Sequence, residues 1–196
     1  MRSSLAKLLC TVVVVVGIGS AASAEGFRFP VGLTYMSGWS DVVDFHKDVL
    51  HADADFVVPV GLSFAPYYEF ACQGRLGLSL GPIGIIMMQD SYGGSSDVTY
   101  WDVPIGADCG YSFIKDGKTS PYVRVGFRYH IANGDFVDKS TPGAAAGVGV
   151  EFFRKSPIGM GVEVGYDASE VTLRDDGHAQ TKVKPSEVTV SLRAIF

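Results

Sequence analysis

Apolar and polar residues alternate along the end of this chain, and that alternation constrains the fold more strongly than any other feature. In the last segment, every residue of one parity is apolar: Val188, Val190, Leu192, Ala194 and Phe196. The residues of the other parity are polar: Thr189, Ser191 and Arg193. Successive side chains of a β-strand point to opposite sides of the sheet, so the segment predicts a strand with one apolar and one polar face.

Seven earlier segments carry the same two-residue period. They cover residues 27–35, 58–64, 75–81, 101–112, 123–130, 146–152 and 158–167. A tilted strand crosses a lipid bilayer with roughly 9–11 residues, which is close to the length of these segments. Together they predict an all-β protein, an eight-stranded antiparallel up-and-down transmembrane β-barrel.

The connections between these segments alternate between long and short. The long ones cover about 40–55, 90–97, 133–142 and 168–184, and the short ones 71–74, 115–118 and 154–157. Outer-membrane barrels place long loops outside the cell and short turns in the periplasm. The alternation therefore predicts that both chain ends lie on the periplasmic side, where the strand ending at Phe196 closes the barrel.

The N-terminal segment predicts export. A basic start with Arg2 and Lys7 precedes an apolar run over residues 8–18, and the small residues Ala22-Ser23-Ala24 follow it. This is the pattern of a secretory signal peptide. We therefore expect residues 1–24 to be removed and residues 25–196 to form one barrel domain.

The charge balance argues against one class of partner. Without residues 1–24, the chain has 14 basic and 21 acidic side chains, a net charge of −7. Nucleic-acid binding depends on clustered Lys and Arg that neutralise phosphates, so we expect no nucleic-acid partner.

A soluble β-barrel or sandwich would also alternate, but with its apolar face turned inward and charge outside. Here the polar parity is rich in glycine and carries only about one charge per strand. That composition suits the lining of a narrow lumen better than a surface in water. The membrane interpretation is therefore preferred.

The signal segment, the eight alternating strands and the final strand over residues 188–196 together resemble the small bacterial outer-membrane β-barrel proteins. This class includes the OmpA-like transmembrane barrels. The resemblance implies a location in the outer membrane of a Gram-negative cell, where a monomeric barrel is surrounded by membrane lipids. It also implies that the barrel-assembly machinery recognises the C-terminal strand, which ends in Phe196.

The polar parity directs charged residues of both signs into the lumen. Five are basic and six are acidic: Arg28, Arg75, Arg124, Arg128, Arg193, Glu69, Asp102, Asp108, Glu151, Glu163 and Asp167. Unpaired charges are costly in a narrow interior, so the near balance predicts an internal network of ion pairs. A lining that sets the selectivity of a pore is the alternative. Eight strands enclose little more than side chains, which favours the filled interior.

Residues 130–134 bear on an enzymatic function. The sequence His130-Ile131-Ala132-Asn133 faintly resembles the His-x-Ser-Asn that lipid A deacylases carry on a strand. Ala132 occupies the place of their nucleophilic serine, and alanine has no hydroxyl to attack an ester. We therefore expect no enzyme activity, and a lumen histidine that is bonded to a carboxylate.

The first long loop is rich in potential metal ligands: Asp41, Asp44, His46, Asp48, His51, Asp53 and Asp55. Carboxylates and imidazoles bind divalent cations. The loop lacks the glycine-punctuated spacing of a calcium-binding loop, so we expect solvated side chains and neither a metal nor a cofactor. Residues 42–50 could instead form a short amphipathic helix over the barrel mouth.

Two cysteines, Cys72 and Cys109, remain after removal of residues 1–24. An even number of cysteines in an oxidising compartment favours disulfide formation. A disulfide between Cys72 and Cys109 and a pair of free, lipid-facing thiols are the two alternatives.

These features predict an outer-membrane barrel that acts as a structural or surface-interaction scaffold, with external polar loops and an unidentified surface ligand. A narrow channel for solutes or ions is the alternative hypothesis. An enzyme that modifies lipid A is a third hypothesis, which Ala132 disfavours.

Overall fold

The alternating segments form β-strands, and one of the long connections forms a helix. The computed structural model describes residues 26–50, 59–89, 97–134, 136–174 and 180–196. Within these residues the strands are β1 (Gly26–Arg28), β2 (Pro30–Met36), β3 (Val60–Phe64), β4 (Tyr67–Glu69), β5 (Gly74–Gln89), β6 (Asp97–Ser112), β7 (Thr119–Asn133), β8 (Val137–Thr141), β9 (Gly143–Phe152), β10 (Gly159–Asp167), β11 (Glu170–Leu173), β12 (Thr181–Val183) and β13 (Val188–Ile195). The helix is α1 (Trp39–Leu50).

Eight antiparallel barrel strands close on themselves. β1 and β2 together form one barrel strand, interrupted at Phe29, and β3 and β4 form the next, interrupted at Ala65 and Pro66. β5, β6, β7, β9, β10 and β13 follow in chain order, and β13 pairs with β2 so that Leu192 lies opposite Leu33. The predicted eight-stranded antiparallel up-and-down β-barrel is confirmed.

In the barrel strands, apolar side chains point outward and polar side chains point inward. Leu78 on β5 is 63% exposed and Val125 on β7 is 56% exposed, whereas Glu163 and Ser191 are buried on the inner side. Soluble proteins rarely expose a continuous apolar surface of this size, which instead matches the lipid-facing surface of a membrane barrel.

β5 is longer than predicted, because the two-residue period on which the prediction rests stops before the strand ends. It continues to Gln89, whereas the alternation ends at residue 81. Gly84 faces inward on this stretch and contacts the indole ring of Trp39. A Cβ atom on residue 84 would lie 2.1 Å from this ring. The next residue, Ile85, is 61% exposed on the outer side, so both sides are apolar at this point and the alternation is lost.

A cap, formed by α1 and a three-stranded sheet with the order β12-β11-β8, covers one end of the barrel. Its core consists of eight buried side chains: Met36, Trp39, Val42, Val43, Tyr100, Val171, Leu173 and Val183. The helix considered for residues 42–50 is present over Trp39–Leu50, whereas the cap strands lie in segments that were predicted as loops. We call this end the long-loop end. The opposite end, with turns at 70–73, 113–118 and 153–158, is the short-turn end.

The polarity of α1 is favourable at both of its ends. Asp41 lies in the first turn and Lys47 in the last turn, where each complements the helix dipole. In the described part of the chain, no helix is long and apolar enough to span a membrane.

Candidate functional site: a filled lumen beneath a capped mouth

Nearest the short-turn end, Arg75 on β5 fills the lumen. Its guanidinium donates two hydrogen bonds to Glu151, at 2.9 and 2.7 Å, and Nε donates to the hydroxyl of Ser112. The guanidinium also lies between the rings of Tyr67 and Tyr122, 4.6 and 4.5 Å from their centroids. Bidentate pairing in the plane and stacking on both faces are the interactions that arginine makes best.

A second arginine, Arg154 in the turn between β9 and β10, contacts the carboxylates that surround Arg75. We call Arg75, Arg154, Glu69 and Glu151 the short-turn cluster. Arg154 is bonded to Glu69, its Nε lies 3.3 Å from Glu151, and its Nη1 donates to the carbonyl oxygen of Ile114 at 2.7 Å. Arg154 was not predicted to lie in the lumen, because it follows Phe153, whose φ of 57° breaks the strand alternation. A positive φ is rare for a bulky residue, so strand parity does not reveal it.

The central cluster is built around Glu163 on β10. Arg124 donates to both of its carboxylate oxygens, at 2.7 and 2.9 Å, and Arg193 does so at 2.7 and 3.1 Å. The hydroxyl of Tyr122 donates a further hydrogen bond at 2.8 Å. One buried carboxylate therefore holds two arginines in paired, charge-assisted geometry, which is the strong form of such a contact.

Asp108 on β6 extends the central cluster to a third arginine. Its Oδ1 lies 2.8 Å from both Arg124 and Arg128, and Arg128 makes a second contact with Oδ2 at 3.2 Å. The central cluster thus connects the walls formed by β6, β7, β10 and β13 through side chains that cross the lumen.

Beneath the cap, His130 on β7 lies between two aspartates. Nδ1 is 2.6 Å from Asp102, and Nε2 is 3.7 Å from Asp167. Asp167 also accepts hydrogen bonds from the backbone N–H and the hydroxyl of Ser169, at 2.9 and 2.5 Å. Ala132 packs against the cap core, so apolar side chains surround the position compared above with a catalytic serine.

The structure places ten of the eleven predicted lumen charges in these three clusters: Arg75, Glu69 and Glu151; Arg124, Arg128, Arg193, Asp108 and Glu163; Asp102 and Asp167. The remaining one, Arg28, is half-buried on β1 in register with Tyr67. The contributions of Tyr67, Tyr122 and Arg154 were not predicted.

Hydroxyl groups line the wall between the clusters, and little free volume is left. Thr34 on β2 lies 2.8 Å from both Ser63 and Ser191. Two lumen cavities bounded by described residues have volumes of about 40 and 30 Å³. Each has room for only a few water molecules.

The possible disulfide between Cys72 and Cys109 is not formed, and both thiols are free and exposed. Cys109 lies opposite Leu76 in the β5–β6 register, whereas Cys72 lies in the turn before Gly74. Within β5, Leu76 and Gly74 are two residues apart, about 7 Å at a rise of roughly 3.3 Å per residue, and Cys72 lies beyond Gly74 in the turn. A disulfide requires Cα atoms within about 7 Å, so this placement favours two free thiols.

Labelling tests the state of these thiols. A chain of residues 25–196, which lacks Cys10, should take up two labels when it is denatured without reductant and treated with a maleimide, because Cys72 and Cys109 are free. Intact-mass measurement checks the result, with a sample reduced beforehand as the reference. An unlabelled chain that is lighter than the reduced one by two hydrogen atoms would contradict it.

The potential metal ligands of the first long loop do not converge in the described residues. Asp41, Asp44 and Asp48 are exposed on α1, and His46 is buried with its Nδ1 2.7 Å from the carbonyl oxygen of Val42. His51, Asp53 and Asp55 lie outside the described residues. Among the residues that the structure describes, no three His, Cys, Asp or Glu side chains are placed to hold a metal ion.

Comparison with known proteins agrees with this architecture. The chain matches the family model described as "Outer membrane protein beta-barrel domain" over residues 8–196. No curated protein sequence is significantly similar to it.

Among solved structures, the solution structure of E. coli outer membrane protein W is similar, with a TM-score of 0.52 and 16% identity. That likeness covers 90% of this chain and 99% of the other. The crystal structure of OprG from Pseudomonas aeruginosa has a TM-score of 0.52 and 11% identity, covering 89% of this chain and 96% of the other. At these identities the likeness concerns the fold alone.

Proposed function

This chain belongs to the outer membrane protein β-barrel family, and we propose that it is a closed scaffold in the outer membrane with its cap displayed at the cell surface. Barrels of this kind place their long loops outside the cell. The cap then faces the medium and the short-turn end faces the periplasm. Export with removal of residues 1–24 belongs to the same proposal.

The observation that carries the proposal is that side chains occupy the lumen at successive heights. Arg75 blocks the short-turn end between two tyrosine rings. The central cluster around Glu163 crosses the middle, and the apolar core of the cap covers the mouth. The cavities of about 40 and 30 Å³ between these levels are too small for a solute larger than water.

A closed barrel with a packed cap suits surface interaction better than transport. The exposed side of α1 carries Asp41, Asp44 and Asp48, and β8 adds Asp138 and Lys139. These polar groups lie on α1 and β8, and the opposite sides of both elements pack against the cap core. A rigid base of this kind lowers the entropy cost of binding, so we assign contact with the unidentified surface ligand to the cap.

A narrow channel is the second candidate, and the position of the cavities favours it. Both cavities are lined by Arg124 and Arg193. Movement of these two guanidinium groups would join the cavities into one aqueous path. Ion flow through such a path would depend on the charge of its lining.

Conductance in planar lipid bilayers separates the two candidates. The wild-type barrel should give no unitary conductance, because its lumen is filled. Arg124→Gln tests the lining, and Lys139→Gln removes the same charge from the exposed surface of the cap as a matched control. A conducting wild type whose ion selectivity changes with Arg124→Gln, but not with Lys139→Gln, would establish the channel and overturn the scaffold.

A further inference from the structure

We propose that the turns 113–118 and 153–158 form a binding surface for the head group of an anionic phospholipid at the short-turn end of the barrel. We call these residues the basic rim. The inference rests on the proposed orientation, which places this end at the inner leaflet of the outer membrane. This lipid-binding site lies at the opposite end of the barrel from the cap, to which we assigned contact with the surface ligand.

Hydrogen bonds from Arg154 join the two turns of the basic rim. Its backbone N–H donates to the carbonyl oxygen of Lys118 at 3.1 Å. Its guanidinium donates to the carbonyl oxygens of Ile114 and Lys115, at 2.7 and 3.3 Å. Because the same guanidinium is anchored to Glu69 inside the lumen, both turns are held against the filled interior and form one surface.

The charge of the basic rim is opposite to that of the whole chain. Outside the lumen the basic rim has three basic side chains, Lys115, Lys118 and Lys155, and one acidic side chain, Asp116. The chain as a whole has a net charge of −5. Lys118 and Lys155 are exposed. The third turn at this end, residues 70–73, carries no charge. Among the three short turns, positive charge is therefore concentrated in the two that form the basic rim.

Large apolar side chains lie in the same two turns as these lysines. Phe113 is 55% exposed, Ile114 is 45% exposed, and Phe153 and Ile158 are both 56% exposed. Strand alternation would turn Phe153 into the lumen, since its neighbour Phe152 faces outward. The positive φ of Phe153 instead keeps both phenylalanines outside and sends Arg154 inward.

Lysines beside exposed aromatic and aliphatic residues at a membrane edge match the chemistry of an anionic phospholipid. The ammonium groups attract the phosphate, while the apolar side chains contact the first carbons of the acyl chains. Phe113 continues into the lipid-facing surface through its edge-to-face contact with Tyr111, at 5.6 Å between ring centroids. A soluble acidic partner would gain nothing from this apolar border, so the lipid is the favoured occupant.

Native mass spectrometry of the full barrel in detergent, titrated with phosphatidylglycerol or with phosphatidylcholine, tests the basic rim. The wild type should bind phosphatidylglycerol more tightly than phosphatidylcholine. Lys118→Gln with Lys155→Gln should weaken phosphatidylglycerol binding by about fivefold for each lysine removed, and leave phosphatidylcholine binding unchanged. Lys118→Arg with Lys155→Arg should retain the preference, since charge is kept.

The matched control removes two lysines from the long-loop end, Lys182→Gln with Lys184→Gln, and should leave lipid binding unchanged. Equal wild-type affinity for the two lipids would overturn the proposal, as would an undiminished preference in the Lys118 and Lys155 double variant. Displacement of phosphatidylglycerol by soluble polyglutamate would assign the surface to an acidic protein partner instead. Bilayer conductance does not depend on these residues, so failure here and failure of the scaffold proposal are distinguishable.

Discussion

Glu163→Gln should lower the free energy of unfolding by about 3–5 kcal/mol, the loss expected when one partner of a buried ion pair is removed. Glutamine has nearly the same shape, but it carries no charge and turns an N–H₂ group toward one of two guanidiniums. Arg124 and Arg193 would then keep their charges in the lumen without the carboxylate that both contact at 2.7 Å. Urea unfolding in lipid vesicles, followed by tryptophan fluorescence, measures the difference.

Glu187→Gln is the control for this change. Glu187 lies 3.7 Å from Lys184 in the connection before β13, and its side chain is 44% exposed. Exposed ion pairs contribute about 0–1 kcal/mol, so the control should lose less than about 1 kcal/mol. Equal losses in the two variants would show that the central cluster contributes no more than a surface pair.

Trp39→Ala should destabilise the cap by about 3–5 kcal/mol, the usual cost of deleting a buried tryptophan side chain. Trp39 is 1% exposed, its indole contacts Gly84, and its ring lies 5.7 Å from that of Tyr100. Its removal leaves a cavity where α1 meets the barrel wall. Circular dichroism measures the unfolding midpoint, and limited proteolysis reports opening of the cap at a temperature where the barrel stays folded.

Trp101→Ala provides a tryptophan deletion outside the cap core. Trp101 is half-buried on β6, in register with Ile85. Its removal should leave the cap resistant to protease. If cleavage within the cap proceeds equally fast in the wild type and in Trp39→Ala, Trp39 is not the residue that fixes α1 to the barrel.

The barrel was predictable from the sequence because its two environments differ so strongly. Lipid outside and charge inside impose opposite demands on adjacent residues, so the parity of β10 and β13 is nearly free of exceptions. The same parity assigned Glu163 and Arg124 to the lumen without knowledge of the register. Which guanidinium meets which carboxylate could not be predicted, because that depends on the relative position of strands along their length.

The cap was not predictable in the same way. β11 and β12 contain only 4 and 3 residues, too few to display a period. Their apolar residues, such as Val171 and Val183, pack against α1 and so depend on a contact distant in sequence. Arg154 was missed for a local reason, since the backbone conformation of the residue before it, Phe153, interrupts the alternation.

The partners in the short-turn cluster are far apart in the chain, and this bears on the order of assembly. Arg154 and Glu69 are separated by 85 residues, and Arg75 and Glu151 by 76. In a flat sheet, β5 and β9 would be three strand spacings apart, about 14 Å, so these side chains meet only after the sheet curls. A sheet that entered the bilayer before curling would bring unpaired charges with it, at high cost. The buried ion pairs therefore favour insertion of a curled sheet over an open one, and couple membrane entry to closure of the barrel.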